Sequence, residues 1–158
     1  MDSFEFRQLC GRFATGIGII TTTDAVGQPA GMTVNSFASV SLDPPLVSVA
    51  ITHGASMHGA LAQATQWAIN ILESHQETLS RRFASGQADR FDGIGWHRGP
   101  HGEILLEGTL AQLHCVPHAQ VEAGDHTIFI GRVVGGAAAE HGKPLLYYRG
   151  GYAELESL

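Results

Sequence analysis

Lysine is nearly missing from this chain: Lys143 is the only one. Lysine and arginine together number 9 against 15 Asp and Glu, a formal net charge of −6. Binding nucleic acid requires cations against phosphates, so that partner class is excluded. Cysteine is scarce as well. Cys10 and Cys115 lie far apart and outside any CxxC pair, which excludes a disulfide framework and a cysteine-rich zinc site and points to the cytoplasm. No apolar run approaches the roughly 18 residues that span a bilayer, so no membrane partner is expected. The opening Met1-Asp2-Ser3-Phe4-Glu5 lacks the basic-then-apolar order of a signal peptide. Charged residues are only 15%, against roughly 25% in an average soluble domain. Glycine runs the other way, with 20 residues, nearly twice the usual share of roughly 7%. Much glycine and little charge imply tight turns and a surface partly hidden against another subunit. The length of 158 residues fits one domain, 1–158, with a core that needs no covalent staple.

Self-contained catalytic machinery is missing too. There is no HExxH, no P-loop and no GxSxG, and Gly16-Ile17-Gly18 lacks the third glycine of a dinucleotide fingerprint. The 9 histidines show no ligand spacing and read as surface residues. His114 and His118 flank Pro117 at a strand end, and His97 and His101 sit in a glycine-rich loop. No metal site is expected.

What is present reads as a mainly β chain. Asp2 to Ala14 is predicted helical: Asp2 and Glu5 form a capping-box pair, and Phe6, Leu9, Cys10 and Phe13 share a face. Ile17–Thr23, Ala30–Val40 (straight or bent), Trp67–Leu72, Ile104–Val116, His126–Val134 and Leu145–Tyr148 read as strands. The apolar run Leu46–Thr52 reads as a strand buried on both faces. Helices are predicted over Ala55–Gln66 and over Gln76–Gly86, the latter ended by its glycine. Some seven strands without regular strand–helix alternation exclude a doubly wound parallel sheet. They predict an antiparallel β-barrel, closed or partly closed, with flanking helices.

Three segments hold the polar groups a site would use. Gly31-Met32-Thr33-Val34-Asn35-Ser36-Phe37-Ala38-Ser39-Val40-Ser41 reads either as a twisted edge strand or as a pocket lined with hydroxyls and an amide, fit for a flat aromatic ligand. Asp125-His126-Thr127 opens an alternating strand, where His126 is either a turn residue or a donor facing a ligand. Arg81-Arg82-Phe83-Ala84 is either a solvated helix face or a phosphate clamp. Ser56 is either a plain N-cap or a hydroxyl offered to an anion.

These segments, in this order, resemble the flavin reductase-like family with its FMN-binding split barrel of Greek-key antiparallel strands. The resemblance runs from Phe4 to Tyr152. It is carried by Phe13-Ala14-Thr15-Gly16, the GMTVNSF and SLDPPL segments, Asn70, Arg82-Phe83-Ala84, Asp89-Arg90-Phe91, GDHTIFIGRV and Pro144-Leu145-Leu146-Tyr147. It implies an NAD(P)H-dependent flavin reductase of the kind that supplies reduced FMN, or FAD, to a partner monooxygenase, acting as a homodimer. By similarity Thr33, Val34, Asn35 and Ser36 would bond the ring and ribityl chain. Ser39, Val40, Ser41, Ala50 and Ile51 would lie along the ring, and Ser56 with Arg82, Phe83 and Ala84 near the phosphate. His126 would stand on the nicotinamide side, with Tyr152 nearby. NADH and NADPH both fit. Two departures stand out. Gly102-Glu103-Ile104-Leu105-Leu106 lacks the family's loop proline, and Thr52–His58 carries no lysine or arginine. A flavin-binding barrel with little turnover, oxidase-like or a carrier, is the alternative implied by the same barrel. A third is a barrel without flavin that serves as an interaction module.

Overall fold

The computed structural model describes residues 1–156. The first helix, α1 (Ser3–Cys10), begins as its sequence predicts. The Asp2 carboxylate accepts from the Glu5 N–H at 2.8 Å and Glu5 reaches back to the Asp2 N–H. It stops at Gly11 rather than Ala14, and none of its residues is buried. There follow β1 (Thr15–Gly16), β2 (Gly18–Thr23), β3 (Pro29–Val34), β4 (Ala38–Leu42), β5 (Pro45–Thr52), α2 (Ser56–Ala62) and β6 (Trp67–Ile71). A 3-10 turn (Ser74–Gln76) leads into α3 (Glu77–Ala84). Then come β7 (Trp96–Arg98), β8 (Ile104–Leu106), β9 (Ala111–Ala123), β10 (His126–Ala138), β11 (Leu146–Tyr148) and β12 (Gly151–Ala153).

Seven strands form the main sheet in the order β3-β2-β6-β9-β10-β5-β4, every neighbour antiparallel. The two edge strands, β3 and β4, are therefore parallel in sense and joined by only Asn35, Ser36 and Phe37. In a flat sheet they would lie six spacings apart, about 29 Å. Four Cα steps reach about 14 Å at most, so the sheet has to curl until its edges lie within that reach at Asn35–Phe37. β3 and β4 are the two halves of one bent strand, pairing with β2 along the first half and with β5 along the second. β6, β9 and β10 follow one another across the sheet, and the last of them closes on β5, the strand that precedes them in the chain, which is a Greek-key order.

Strand alternation splits the burial between two layers. Ile20, Val49, Ile51, Met57, Trp67 and Phe129 point inside the curl. Ile17, Ile19, Phe83, Leu106 and Leu145 form a second cluster under α3. β2 contributes to both, so it is β2, not β5, that is covered on both faces. On β5, Val47, Val49 and Ile51 are buried while Leu46, Ser48, Ala50 and Thr52 are half-exposed, because no element among the described residues packs over that outer face.

Ala30–Val40 takes the bent form: it turns at Asn35–Phe37, where it changes partner from β2 to β5. Other expectations are corrected by turns. The predicted strand Ile104–Val116 is two strands, separated by a turn with Gly108 at φ +68°. α3 ends at Ser85 rather than Gly86. β7 lies within a stretch read as irregular, and β12 was not anticipated. His114, read as a surface residue, is buried, with its Nδ1 at 2.7 Å from the Glu103 carboxylate.

Candidate functional site

The seam at Asn35–Phe37 is where polar chemistry collects. The last rung between β4 and β5 joins Ala38 to Ser48. Beyond it the Ala50 backbone faces the seam without a strand partner. The Ser36 hydroxyl takes that rung's place, accepting from the Ala50 N–H at 3.1 Å and donating to the Ala50 carbonyl at 3.0 Å. Asn35, beside it, is exposed.

A cleft of about 220 Å³ opens on one side of the seam, lined by Ile17, Thr33, Val34, Asn35, Ser80, Ala84, Tyr147 and Tyr152. Its walls are fixed by hydrogen bonds. The Thr33 hydroxyl donates to the Ser80 carbonyl at 2.6 Å, and the Tyr152 hydroxyl lies 2.8 Å from Ser80 Oγ. Tyr147 meets Tyr152 edge-on at 5.6 Å. The Arg81 guanidinium sits 4.6 Å over the Tyr152 ring, tied to Glu77 at 2.7 Å.

A second cleft, of about 390 Å³, lies at the other end of β3. Pro29, Ala30, Gly31, Ser56, Met57, Gln87 and Arg90 are among its walls. Ser56 is the first residue of α2, whose N-cap Ala55 makes no side-chain bond. Arg90 donates to the Gly31 carbonyl at 2.8 Å and to Ser85, while its Nε is buried without a partner.

The other residues singled out from sequence are placed elsewhere. Arg82 donates to the Asp89 and Asp92 carbonyls at 2.6 and 2.7 Å, so its guanidinium pins the loop after α3. Phe83 is fully buried and packs edge-on against Phe91 at 4.9 Å. Ile51 points into the core. Ser39 and Val40 are exposed on β4, where a register shift between Ser39 and Ser41 interrupts the ladder. His126 stands at the foot of β10 opposite Thr52. Its Nδ1 is 2.7 Å from an Asp125 carboxylate oxygen, and that hydrogen bond holds the Asp125 carboxyl below its usual range. Its side chain is 42% exposed and lines neither cleft.

Cleft residues outside the site set expected from sequence include Ile17, Ser80 and Tyr147 in the first cleft and Gln87 and Arg90 in the second. Ser80 left a signal, as a small polar residue three positions from Phe83 on the buried face of α3. Among the described residues no group of three or more His, Cys, Asp or Glu is placed to hold a metal ion. No helix of the described chain is long and apolar enough to cross a membrane.

The family model "flavin reductase like domain" matches residues 10–156. The FMN reductase (NADH) SmoA of Agrobacterium fabrum is 44% identical over 98% of this chain and 87% of its own length. The reductase subunit HsaB of a Rhodococcus jostii flavin-dependent monooxygenase is 37% identical over 99% of this chain and 80% of its own. Among solved structures, the Streptomyces globisporus NADH:FAD oxidoreductase SgcE6, in complex with NAD and FAD fragments, superposes with a TM-score of 0.93. It shares 37% identity over 98% of this chain and 93% of that one.

Proposed function

Because the chain belongs to the flavin reductase-like family, we propose that it is an NAD(P)H:flavin oxidoreductase passing a hydride from a reduced nicotinamide to FMN or FAD. The observation that carries this reading is the seam. A cleft with apolar walls and aligned hydroxyls adjoins Thr33, Val34, Asn35 and Ser36, and the protein's own side chains do not fill it. A flat tricycle with an acceptor-rich edge would meet the exposed Asn35 amide and the one hydroxyl proton left over by the Ser80–Tyr152 pair, while the Thr33 and Ser36 hydroxyls, which already donate to carbonyls, shape the wall. Bound flavin supplies the hydride acceptor, and the protein supplies binding, orientation and polarity. Thr33 to Ser36, Ala50, Ala84 and Tyr152 would hold ring and ribityl. Ser56 would meet the phosphate together with Arg90, which lines the same cleft, whereas Arg82 is turned onto the Asp89 and Asp92 carbonyls. Arg82 acts instead through the loop it pins. Ser39, Val40 and Ser41 would flank the ring from the outer edge. His126 would position the nicotinamide at the exposed mouth.

The seam cleft, about 220 Å³, is smaller than the roughly 300–1,000 Å³ usual for ligand sites, which supports a wall supplied by a second copy of the chain. So does exposed apolar surface. Phe4, Phe6, Leu9 and Phe13 are 58–79% exposed on and after α1, and Val121 is 47% exposed beside the half-exposed Ala50, Ile128 and Ile130. A homodimer is therefore part of the proposal. Phe6→Asp combined with Leu9→Asp is expected to halve the mass in sedimentation, and an unchanged mass would remove α1 from the interface. The relative HsaB is a monooxygenase's reductase subunit, and by analogy reduced flavin would pass from this chain, a single domain over 1–158, to a monooxygenase. Both cysteines are free, Cys115 buried with its thiol pushed up to about 12 by desolvation, which suits the cytoplasm.

The test is turnover: loss of nicotinamide absorbance for NADH and NADPH, each with FMN and with FAD. Flavin bound without turnover would instead favour a carrier. His126→Ala is expected to raise the KM for the nicotinamide about 10-fold, the size of a lost hydrogen bond to a charged or polar ligand. The flavin Kd is expected to stay within 2-fold, about 0.4 kcal/mol. Steady-state kinetics with an unaltered KM would take His126 out of this role.

A further inference from the structure

One residue along from His126, strand alternation turns Thr127 inward, where it is 1% exposed. Its hydroxyl donates to a Glu122 carboxylate oxygen at 2.8 Å. The bond holds the Glu122 carboxyl below its usual range, so Glu122 is an acceptor only. Thr127 has no second proton. The contact of 2.8 Å between its Oγ1 and His58 Nε2 must then be an N–H donated by His58, which fixes that ring's tautomer. Glu122 also accepts from His53 Nε2 at 2.9 Å. The His53 backbone N–H closes the circuit on the Asp125 carbonyl at 3.0 Å, where the Thr52 hydroxyl also donates, at 3.3 Å. His58 lies on α2 and stacks edge-on against His53 and Phe129.

We propose that the chain of bonds His58–Thr127–Glu122–His53 is a positioning device that holds the β9–β10 hairpin so that His126 meets the nicotinamide. The inference rests on the reading of His126 given above. Thr127 is its central member: of these four side chains it bonds both to α2, through His58, and to Glu122 across the hairpin. It acts through His126 and touches no substrate.

The test uses the full chain with Thr127→Val, Thr127→Ser, His126→Ala and the double variant Thr127→Val/His126→Ala. Thr127→Val keeps the shape of a buried strand residue and removes the hydroxyl. It is expected to raise the nicotinamide KM about 5-fold, the size of one ordinary hydrogen bond, with kcat changed far less. Thr127→Ser should return KM to within 2-fold of the parent, about 0.4 kcal/mol. In the His126→Ala background, Thr127→Val should add nothing further. Nitrogen NMR of the ligand-free protein is expected to show His58 as the Nε2–H tautomer, and a mixture of tautomers in Thr127→Val. If His126→Ala raises KM and Thr127→Val does not, or the two effects simply add, the positioning role is overturned while the His126 reading survives. If His126→Ala leaves KM unchanged, the His126 reading fails and this inference with it.

Discussion

Glu103→Ala is expected to destabilise the protein by about 3 kcal/mol, at the top of the range for leaving buried polar groups without partners. At roughly 2–4 °C per kcal/mol for a chain of this size, the melting temperature falls by roughly 6–12 °C. The Glu103 carboxylate is 1% exposed and meets His114 Nδ1 at 2.7 Å, while His114 is itself 11% exposed. The other carboxylate oxygen accepts from the His101 N–H at 2.8 Å. Alanine leaves an imidazole and a backbone donor without partners, in a place water does not reach. The neighbourhood is built around this group. A Cβ at Gly99 would come within 2.5 Å of the carboxylate, so the turn between β7 and β8 needs glycine there. Glu103→Gln keeps an acceptor for His101 and should lose roughly half as much. Thermal and urea unfolding check both variants. A loss under about 1 kcal/mol in Glu103→Ala would show that the pair does not anchor the β7–β8 arm, since even a surface pair reaches that size.

Gly131→Ala is expected to cost about 3 kcal/mol, at the top of the range for overpacking a core, or roughly 6–12 °C in melting temperature. Gly131 lies in β10 between Val47 of β5 and Pro117 of β9. It faces inward, where the Trp67 indole reaches it across the curl from β6. An added Cβ would sit 2.2 Å from Trp67 Cζ2 and 2.8 Å from Cη2. The indole cannot retreat, because Trp67 is 1% exposed within the same cluster as Met57, Leu61 and Cys115. Glycine in mid-strand is otherwise a weakness, and here it makes room for the largest side chain of the core. Combining Gly131→Ala with Trp67→Leu should recover part of the loss, so that the two effects are not additive. A melting temperature for Gly131→Ala within about 2 °C of the parent, less than 1 kcal/mol, would mean that the ring has room to move.

What could be read from sequence was local. The Asp2–Glu5 cap, the β-branched β2 and the polar GMTVNSF segment each rest on interactions within a few residues, and each is present. The antiparallel, mainly β class followed from the same strands. Sequence was less informative wherever a partner decides the outcome. β2 and β5 are both apolar runs. Only the packing of α3 over one and of nothing over the other makes β2 covered on both faces and β5 on one. Arg81, Arg82 and Arg90 look equivalent along the chain, but the fold turns Arg82 onto loop carbonyls, Arg81 onto Tyr152 and Arg90 into a cleft.

The order of residues alone therefore determined most of the elements, the class and the family, because periodicity, capping and motif spacing are properties of the chain itself. Only the tertiary structure decided that one strand changes partner at Asn35–Phe37 and opens a seam there. It alone brought Ser80 and Tyr152 to that seam and sank His114 beside Glu103. Those outcomes depend on the curl of a seven-stranded sheet, which brings together residues up to more than a hundred positions apart, and no local pattern records such a distance.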